Sequence, residues 1–429
     1  MPVSNRRQIG TDHIRATALS QTAGKSEQET PVDKLRVGIL GLRRGLSHLR
    51  NFLAVEDAEV IGVADQVEKW RNRAAEAIAP KTVKQVSEFE ELLALKPDAV
   101  VIASNGRFQA QHAVQAMEAG CHVMSEVPGA YTQEEISHII LAAERYDRTY
   151  MLAENSCFLD FLRYWRKWLL DGRFGPVSIA EGEYLHYLPN SMVDGERNQF
   201  TPTQWREDNI SGLSPLWRAD QPPIQYLTHD LGPLLNVLDD RVVSVCCKDG
   251  PFWCAEAPLR SDGQIALFQT AKGSLIKIMV TLNTRRPGAH NYRLFGTLGS
   301  AEWYSHEGFC RRFDCDREHS QGWERINIGT AACEADKKAG HGGTDIKTAF
   351  YFTKSLIEGT HVPIDVFRMA DFTLPGILAA RSAELGGQPI SVPDLRRGPF
   401  VGTNFWEHVQ LPDHEPEGTD YTSDARVTH

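Results

Sequence analysis

From Leu35 onward, short apolar runs alternate with stretches of helical spacing. "LRVGILG" and "AEVIGVAD" read as strands, the second ending at Asp65, whereas "GLSHLRNFLAV" and "VEKWRNRAAEAI" carry apolar residues at every third or fourth position and read as helices. "ELLALKPDAVVIAS" gives a helix end and a strand, "RFQAQHAVQAMEAG" a helix stopped by glycine, and "CHVMSEVP" another strand. "TQEEISHIILAAERYD" reads as a helix leading into the strand "TYMLAENSCF". Strands alternating with helices predict a doubly wound parallel sheet. Continuous apolar strands fit burial on both faces.

After the helix "LDFLRYWRKWLLDGRFG" the period changes. "VSIAEGEYLHYL", "QIALFQTAKGSLIKIMVTLNT" and "HNYRLFGTLGSAEWYS" alternate apolar and polar residues around glycine-containing turns. That pattern predicts a C-terminal α+β domain with a mostly antiparallel open sheet, one face of it exposed. Helices near "DIKTAFYFTKSLIEG" and after Asp365 are expected to cover the other face. The division follows: an N-terminal arm over 1–34, an α/β domain over 35–155, an α+β domain over 156–410 and a polar tail over 411–429. An exposed sheet face predicts a homo-oligomer, a dimer or tetramer.

Charge narrows the partners. A net charge of −10 argues against nucleic acid and an anionic membrane surface. No apolar run approaches the roughly 20 residues of a membrane-spanning helix. The arm has paired arginines but no apolar core of a signal peptide. Of the eight cysteines, the pair at 246–247 and Cys310 with Cys315 lack the paired spacing of a zinc site. They read as reduced thiols of a cytoplasmic protein, and no metal is expected.

The first strand runs into Gly41, Leu42, Arg43, Arg44 and Gly45 and then a helix. Glycines let backbone amides approach a pyrophosphate, and a helix N-terminus favours the charge there. This makes the first domain a Rossmann-type dinucleotide site. Asp65 stands where a carboxylate accepts from a ribose 2′-hydroxyl and repels a 2′-phosphate, so NAD is favoured over NADP. Arg43 holds the place of the usual second glycine and the loop is one residue short, so Arg43 is a candidate phosphate contact. The competing reading is a glycine turn that binds no nucleotide.

"VGILG", the acid after "VIGVAD", and "AVVIASNGRFQAQHAVQAMEAGCHVMSEVP" together resemble the Gfo/Idh/MocA family of NAD(P)-dependent sugar oxidoreductases, over roughly Leu35 to Gly398. The resemblance implies a nucleotide lined also by Ser104, Asn105, His112, Glu126, Val127 and Asn155. The family's dehydrogenases carry lysine inside Glu-X-Pro; here it is Val127, which cannot titrate. The chain is more similar to the family's NAD-dependent glycosidase branch, of α-N-acetylgalactosaminidase type, which has Glu-Val-Pro. "MLAENSCF", "GEYLHYL", "YLTHDLGP", "GHGGTDIK" and "DVFRMADFTLPGILAARSAELGGQPISVPDLRRG" carry that likeness.

The likeness implies glycoside cleavage by transient C3 oxidation, C1/C2 elimination, water addition and re-reduction. It places Tyr184 as the C2 base, His229 as a neutral imidazole at the C3 hydroxyl, Glu154 as acid or water guide, and Tyr226 beside them. Each has a plain alternative: a packing tyrosine, a helix-capping histidine, an ion-paired glutamate. Tyr292 and His341 are implied at the substrate or site edge. Asp230 replaces a family glycine, and Ile224, Gln225, Cys157 and Phe158 also depart, so N-acetylgalactosamine is not carried over. Arg285 and Arg286, with His290 and Arg293, are candidates for an anionic sugar such as a sulfoquinovoside, or a solvated strand end. A sugar or cyclitol dehydrogenase and a non-catalytic dinucleotide-binding sensor stay open as alternatives.

Overall fold

In a computed structural model the described residues are 34–79, 82–314, 323–328, 343–396, 402–416 and 418–421. The arm at 1–33 and the candidate His341 lie outside them. The first sheet takes strands β1 (Leu35–Leu40), β2 (Ala58–Ala64), β3 (Lys84–Val86), β4 (Ala99–Ile102), β5 (His122–Ser125) and β6 (Tyr150–Leu152). All are parallel, in the order β3-β2-β1-β4-β5-β6. Helices α1 (Leu42–Ala54), α2 (Glu68–Ile78), α3 (Phe89–Leu93), α4 (Gly106–Glu118) and α5 (Gln133–Tyr146) connect them. Every residue of β4 is buried, as strands covered on both faces require. The strand order reverses between β1 and β4, and a crevice opens at the carboxyl ends there.

Helix α6 (Asp160–Leu170) leads to β7 (Val177–Leu185). A small sheet of β8 (Met192–Val193), β9 (Gln199–Phe200) and, after α7 (Pro202–Glu207), β10 (Ser214–Pro215) reaches back toward the first domain. Then come α8 (Thr228–Leu238), β11 (Val242–Asp249), β12 (Gly263–Thr270), β13 (Leu275–Thr281), β14 (Ala289–Gly296), β15 (Gly299–Tyr304), β16 (Cys310–Asp314) and β17 (Trp323–Ile326). Helices α9 (Thr344–Glu358) and α10 (Val366–Glu384), β18 (Ile390–Ser391) and β19 (Gly418–Tyr421) complete the chain. The ten-stranded sheet runs β18-β11-β12-β13-β7-β14-β15-β16-β17-β19 and is antiparallel except between β13 and β7.

Period-two patterning does what it predicts. Ile276, Ile278 and Val280 of β13 are fully buried, whereas Ile179, Ile265 and Leu267 stay exposed on the opposite face. Two expectations change. The tail is part of the sheet at Gly418–Tyr421, which pairs antiparallel with β17. The second domain also returns to the first: Phe352 of α9 packs edge-on against Phe52, and Leu152 donates its backbone N–H to the Ile364 carbonyl at 3.0 Å. Closure by α9 and α10 ties the two sheets together and fixes the ends of β5 and β6 where they meet the second domain.

Candidate active site

The crevice at the strand ends is a cleft of about 580 Å³, lined by Gly41, Asp65, Ser104, Asn105 and His112 from the first domain and by Arg197 and Leu216 from the second. Gly41 ends β1 at φ +86°, and a Cβ there would lie 2.6 Å from the Ala103 carbonyl oxygen, so only glycine fits. The first-turn amides of α1 have no partner within the helix. Asp65 Oδ2 takes the amide of Leu42 at 2.7 Å and its Oδ1 takes that of Val67 at 2.9 Å. Arg197 stands 3.7 Å from Oδ1 and offsets the carboxylate's charge. Ser104 Oγ lies 2.9 Å from His112 Nδ1, and Asn105 caps α4 by accepting from the amide of Arg107. Hydroxyl, amide and imidazole groups along an open groove suit a dinucleotide's ribose and phosphate. Arg43 is half-buried near Arg218 and Arg197, which, with burial, lower its pKa.

Arg44, Glu126 and Asn155 do something other than expected. Arg44 donates from Nε to Glu126 at 2.7 Å and forks onto both oxygens of Asp345, at 2.9 and 3.0 Å. Asn155 Nδ2 donates to the same Asp345 at 2.7 Å, and His48 Nε2 lies 2.6 Å from Glu126. Burial would raise the Glu126 carboxyl, yet Arg44 and His48 outweigh it and hold it at about 2. These residues are a strut between α1, the end of β5 and the start of α9, and Arg44 is not a phosphate contact. Val127 is buried; its carbonyl and the amide of Gly129 are both held by the Gln109 side chain, at 3.4 and 3.1 Å. No proton carrier replaces the missing lysine at that point.

A cluster of aromatic and titratable side chains gathers where β7, β14 and α8 meet. Tyr184 lies near the end of β7, and His186 two residues on points to the same face. His290 of β14 pairs directly across from Tyr184, and Tyr292 across from Gly182. A Cβ on Gly182 would lie 2.9 Å from that of Asp230, so glycine there lets the first turn of α8 press onto the sheet. Tyr184 stacks on His229 at 5.6 Å and 12°, meets Tyr226 edge-on at 4.9 Å and His290 edge-on at 4.8 Å, and lies 4.3 Å from His186. Burial, then Tyr226, push its hydroxyl well above the ordinary tyrosine range, with Arg218 pulling the other way.

Two carboxylate–imidazole pairs flank this tyrosine. Glu154 Oε1 is 2.6 Å from His229 Nδ1, with Ser156 Oγ at 3.3 Å from the same nitrogen, so Nε2 is left for a ligand. Burial alone would discharge His229; Glu154 outweighs it and raises the ring to about 10. The second pair is Asp230 Oδ1 and His290 Nδ1 at 3.4 Å. His290 Nε2 is in turn 3.4 Å from Nε2 of His186. Burial raises the Asp230 carboxyl while His290 opposes it.

The structure thus brings Glu154, Tyr184, Tyr226 and His229 together but redistributes their parts. Glu154 is fully buried behind His229, so it neither reaches a leaving group nor guides water. Glu154 favours the imidazolium form of His229, where the sequence implied an ordinary neutral ring. Tyr292 is fully buried and donates its hydroxyl to the His229 carbonyl at 2.7 Å, so it steadies α8 and does not touch substrate. Arg285 is largely exposed, paired with Glu256 and stacked on Tyr187, and points away from the ring cluster. Arg286 donates to the Pro287 carbonyl and lies close enough to His186 to depress it. His186 was the residue passed over. Its signal was the period-two spacing from Tyr184.

This is a two-domain dinucleotide-dependent enzyme fold with an acid–base cluster at the domain junction. Residues 35–154 match the Gfo/Idh/MocA oxidoreductase family's NAD-binding Rossmann model, and 260–402 match the glycosyl hydrolase 109 C-terminal domain. Similar curated proteins include glycosyl hydrolase family 109 proteins of Porphyromonas gingivalis, 26% identical over 88% of each chain, and of Phocaeicola vulgatus, 27% identical over 89% of this chain and 88% of that one. A levoglucosan dehydrogenase solved with NADH and levoglucosan superposes at TM-score 0.69, with 20% identity over 84% of this chain and all of that one, a likeness of fold alone. The chain is an NAD-dependent glycosidase built from a Gfo/Idh/MocA NAD-binding Rossmann domain and a glycosyl hydrolase 109 C-terminal domain.

Proposed function

We propose that the protein cleaves a glycoside by a redox-assisted elimination in which NAD⁺ is returned unchanged. The observation that supports this reading is the ring cluster: Tyr184, His229 and His290 lie together, while among the described residues no pair of opposed carboxylates of the ordinary glycosidase kind faces them. When bound, NAD⁺ supplies a temporary hydride acceptor for C3. With its ring first deprotonated at Nε2, His229 takes the C3 hydroxyl proton as that carbon is oxidised; the buried Glu154 gives the ring the proton affinity for this. As imidazolium, His229 then donates a hydrogen bond to the C3 oxygen while negative charge collects there on removal of the C2 proton.

Tyr184, stacked on that imidazolium and hydrogen-bonded to Tyr226, reacts as the phenolate, its own proton released to solvent beforehand against the upward shift of its hydroxyl, and takes the C2 proton. The electron pair forms the C1–C2 double bond and the aglycone departs. Water adds at C1, and Tyr184, its proton having exchanged with solvent, delivers a proton to C2. Val127 supports this over a simple dehydrogenase, since the middle residue of Glu126-Val127-Pro128 carries no titratable group. An anionic substituent on the sugar is a second reading, favoured by the charges of Arg218 and Arg286 close to His186.

The test supplies aryl glycosides with the purified protein and substoichiometric NAD⁺. Aglycone release without net NADH is expected. Stoichiometric NADH instead makes the protein a dehydrogenase, and neither signal with NAD bound makes it a sensor.

A further inference from the structure

Elimination leaves one task unassigned. The glycosidic oxygen departs as an alkoxide unless a proton reaches it, and Glu154 is sealed behind His229. Resting on the redox-elimination reading, we propose that His290, oriented by Asp230, is the general acid that protonates the leaving group and later the base that activates water.

The geometry is that of a second dyad on the other side of Tyr184. Asp230 is fully buried at the start of α8 and its Oδ1 lies 3.4 Å from His290 Nδ1, which fixes the ring and turns Nε2 toward His186 and the site. Asp230 Oδ2 has no hydrogen-bond partner among the described residues, so His290 is the group the carboxylate serves. The His290 side chain keeps 26% exposure against 12% for His229, so it is the more reachable of the two rings. Strand pairing sets it opposite Tyr184, and the β14 backbone is anchored there by the His290 amide donating to Ser305 Oγ at 3.0 Å. Gly288 adds room: a Cβ there would lie 2.9 Å from the His186 ring. The charged and titratable groups facing His290 are Tyr184 and His186 from β7 and His229 and Asp230 from α8.

The step balances. As Tyr184 takes the C2 proton, the C2–H pair becomes the C1–C2 double bond, and the C1–O pair goes to oxygen. That oxygen receives the Nε2 proton of His290. The neutral ring then takes a proton from water as its oxygen bonds to C1, restoring the imidazolium.

His290→Gln separates this role from a structural one through the leaving group. Release of a poor leaving group, such as methanol from a methyl glycoside, should fall about 100-fold or more. Release of dinitrophenolate in the first turnover, which needs no acid and precedes water addition, should stay within a few-fold of the parent enzyme. Transient NADH formation on mixing with substrate should be unchanged. Asp230→Asn is the second variant and should show the same leaving-group dependence more weakly. Equal losses on both glycosides, or no loss on either, overturn the assignment of His290. If the parent enzyme releases no aglycone from any glycoside, the reading beneath it fails first.

Discussion

Replacing Glu154 with Gln keeps the shape of the side chain and an oxygen for His229 Nδ1 but removes the charge. The carboxylate is fully buried at 2.6 Å from the ring, and it leads the groups that oppose the discharging effect of burial, ahead of Tyr226 and Asp230. A rise from 6.5 to about 10 corresponds, at about 1.4 kcal/mol per unit, to about 5 kcal/mol of preference for imidazolium. In Glu154→Gln burial prevails, and the ring should lose its proton at or below the ordinary 6.5. The sign for stability follows. The pair's contribution is complete below about 6.5 and is lost as pH rises through about 10. Histidine-labelled NMR titration of the ligand-free protein reads the ring directly, and kcat/KM against pH should show its rising limb move down in the variant. Identical midpoints and limbs in the two proteins would refute the electrostatic role given to Glu154.

Other outcomes follow from the same geometry. Tyr184→Phe should reduce aglycone release about 100- to 10,000-fold, with NADH formation on substrate mixing preserved, read by stopped-flow absorbance. Gly41→Ala should lower thermal stability and weaken NAD binding together, by calorimetry, because the Cβ falls 2.6 Å from the Ala103 carbonyl oxygen in a left-handed backbone. Asp345→Asn should destabilise the protein by about 3 kcal/mol, since it leaves the Arg44 guanidinium short of a buried partner. Denaturant unfolding checks it, and unchanged stability would contradict the strut.

Much of this was legible in the chain. The alternation from "LRVGILG" to "TYMLAENSCF" carries a parallel sheet because buried strands and amphipathic helices differ in period. Capping adds to it: Thr132 and Glu135 close α5 with a reciprocal capping box. What the chain did not show was partnership across distance. Arg44 reads as part of the nucleotide loop until Asp345, some three hundred positions on, is found to hold its side chain. Glu154 reads as an acid until the fold buries it. Asp230 and His290 lie on different elements, and it takes both the packing of α8 onto β7 at Gly182 and the pairing of β14 with β7 to bring them together. Short strands such as Met192–Val193 and Ser214–Pro215 are too brief to leave a period.

The central claim is that cleavage passes through loss and return of the C2 proton. Hydrolysis in D₂O with substoichiometric NAD⁺, followed by NMR of the released sugar, tests it most directly. The account predicts deuterium at C2 in the product and no net NADH. Sugar released with its original C2 hydrogen intact would contradict it.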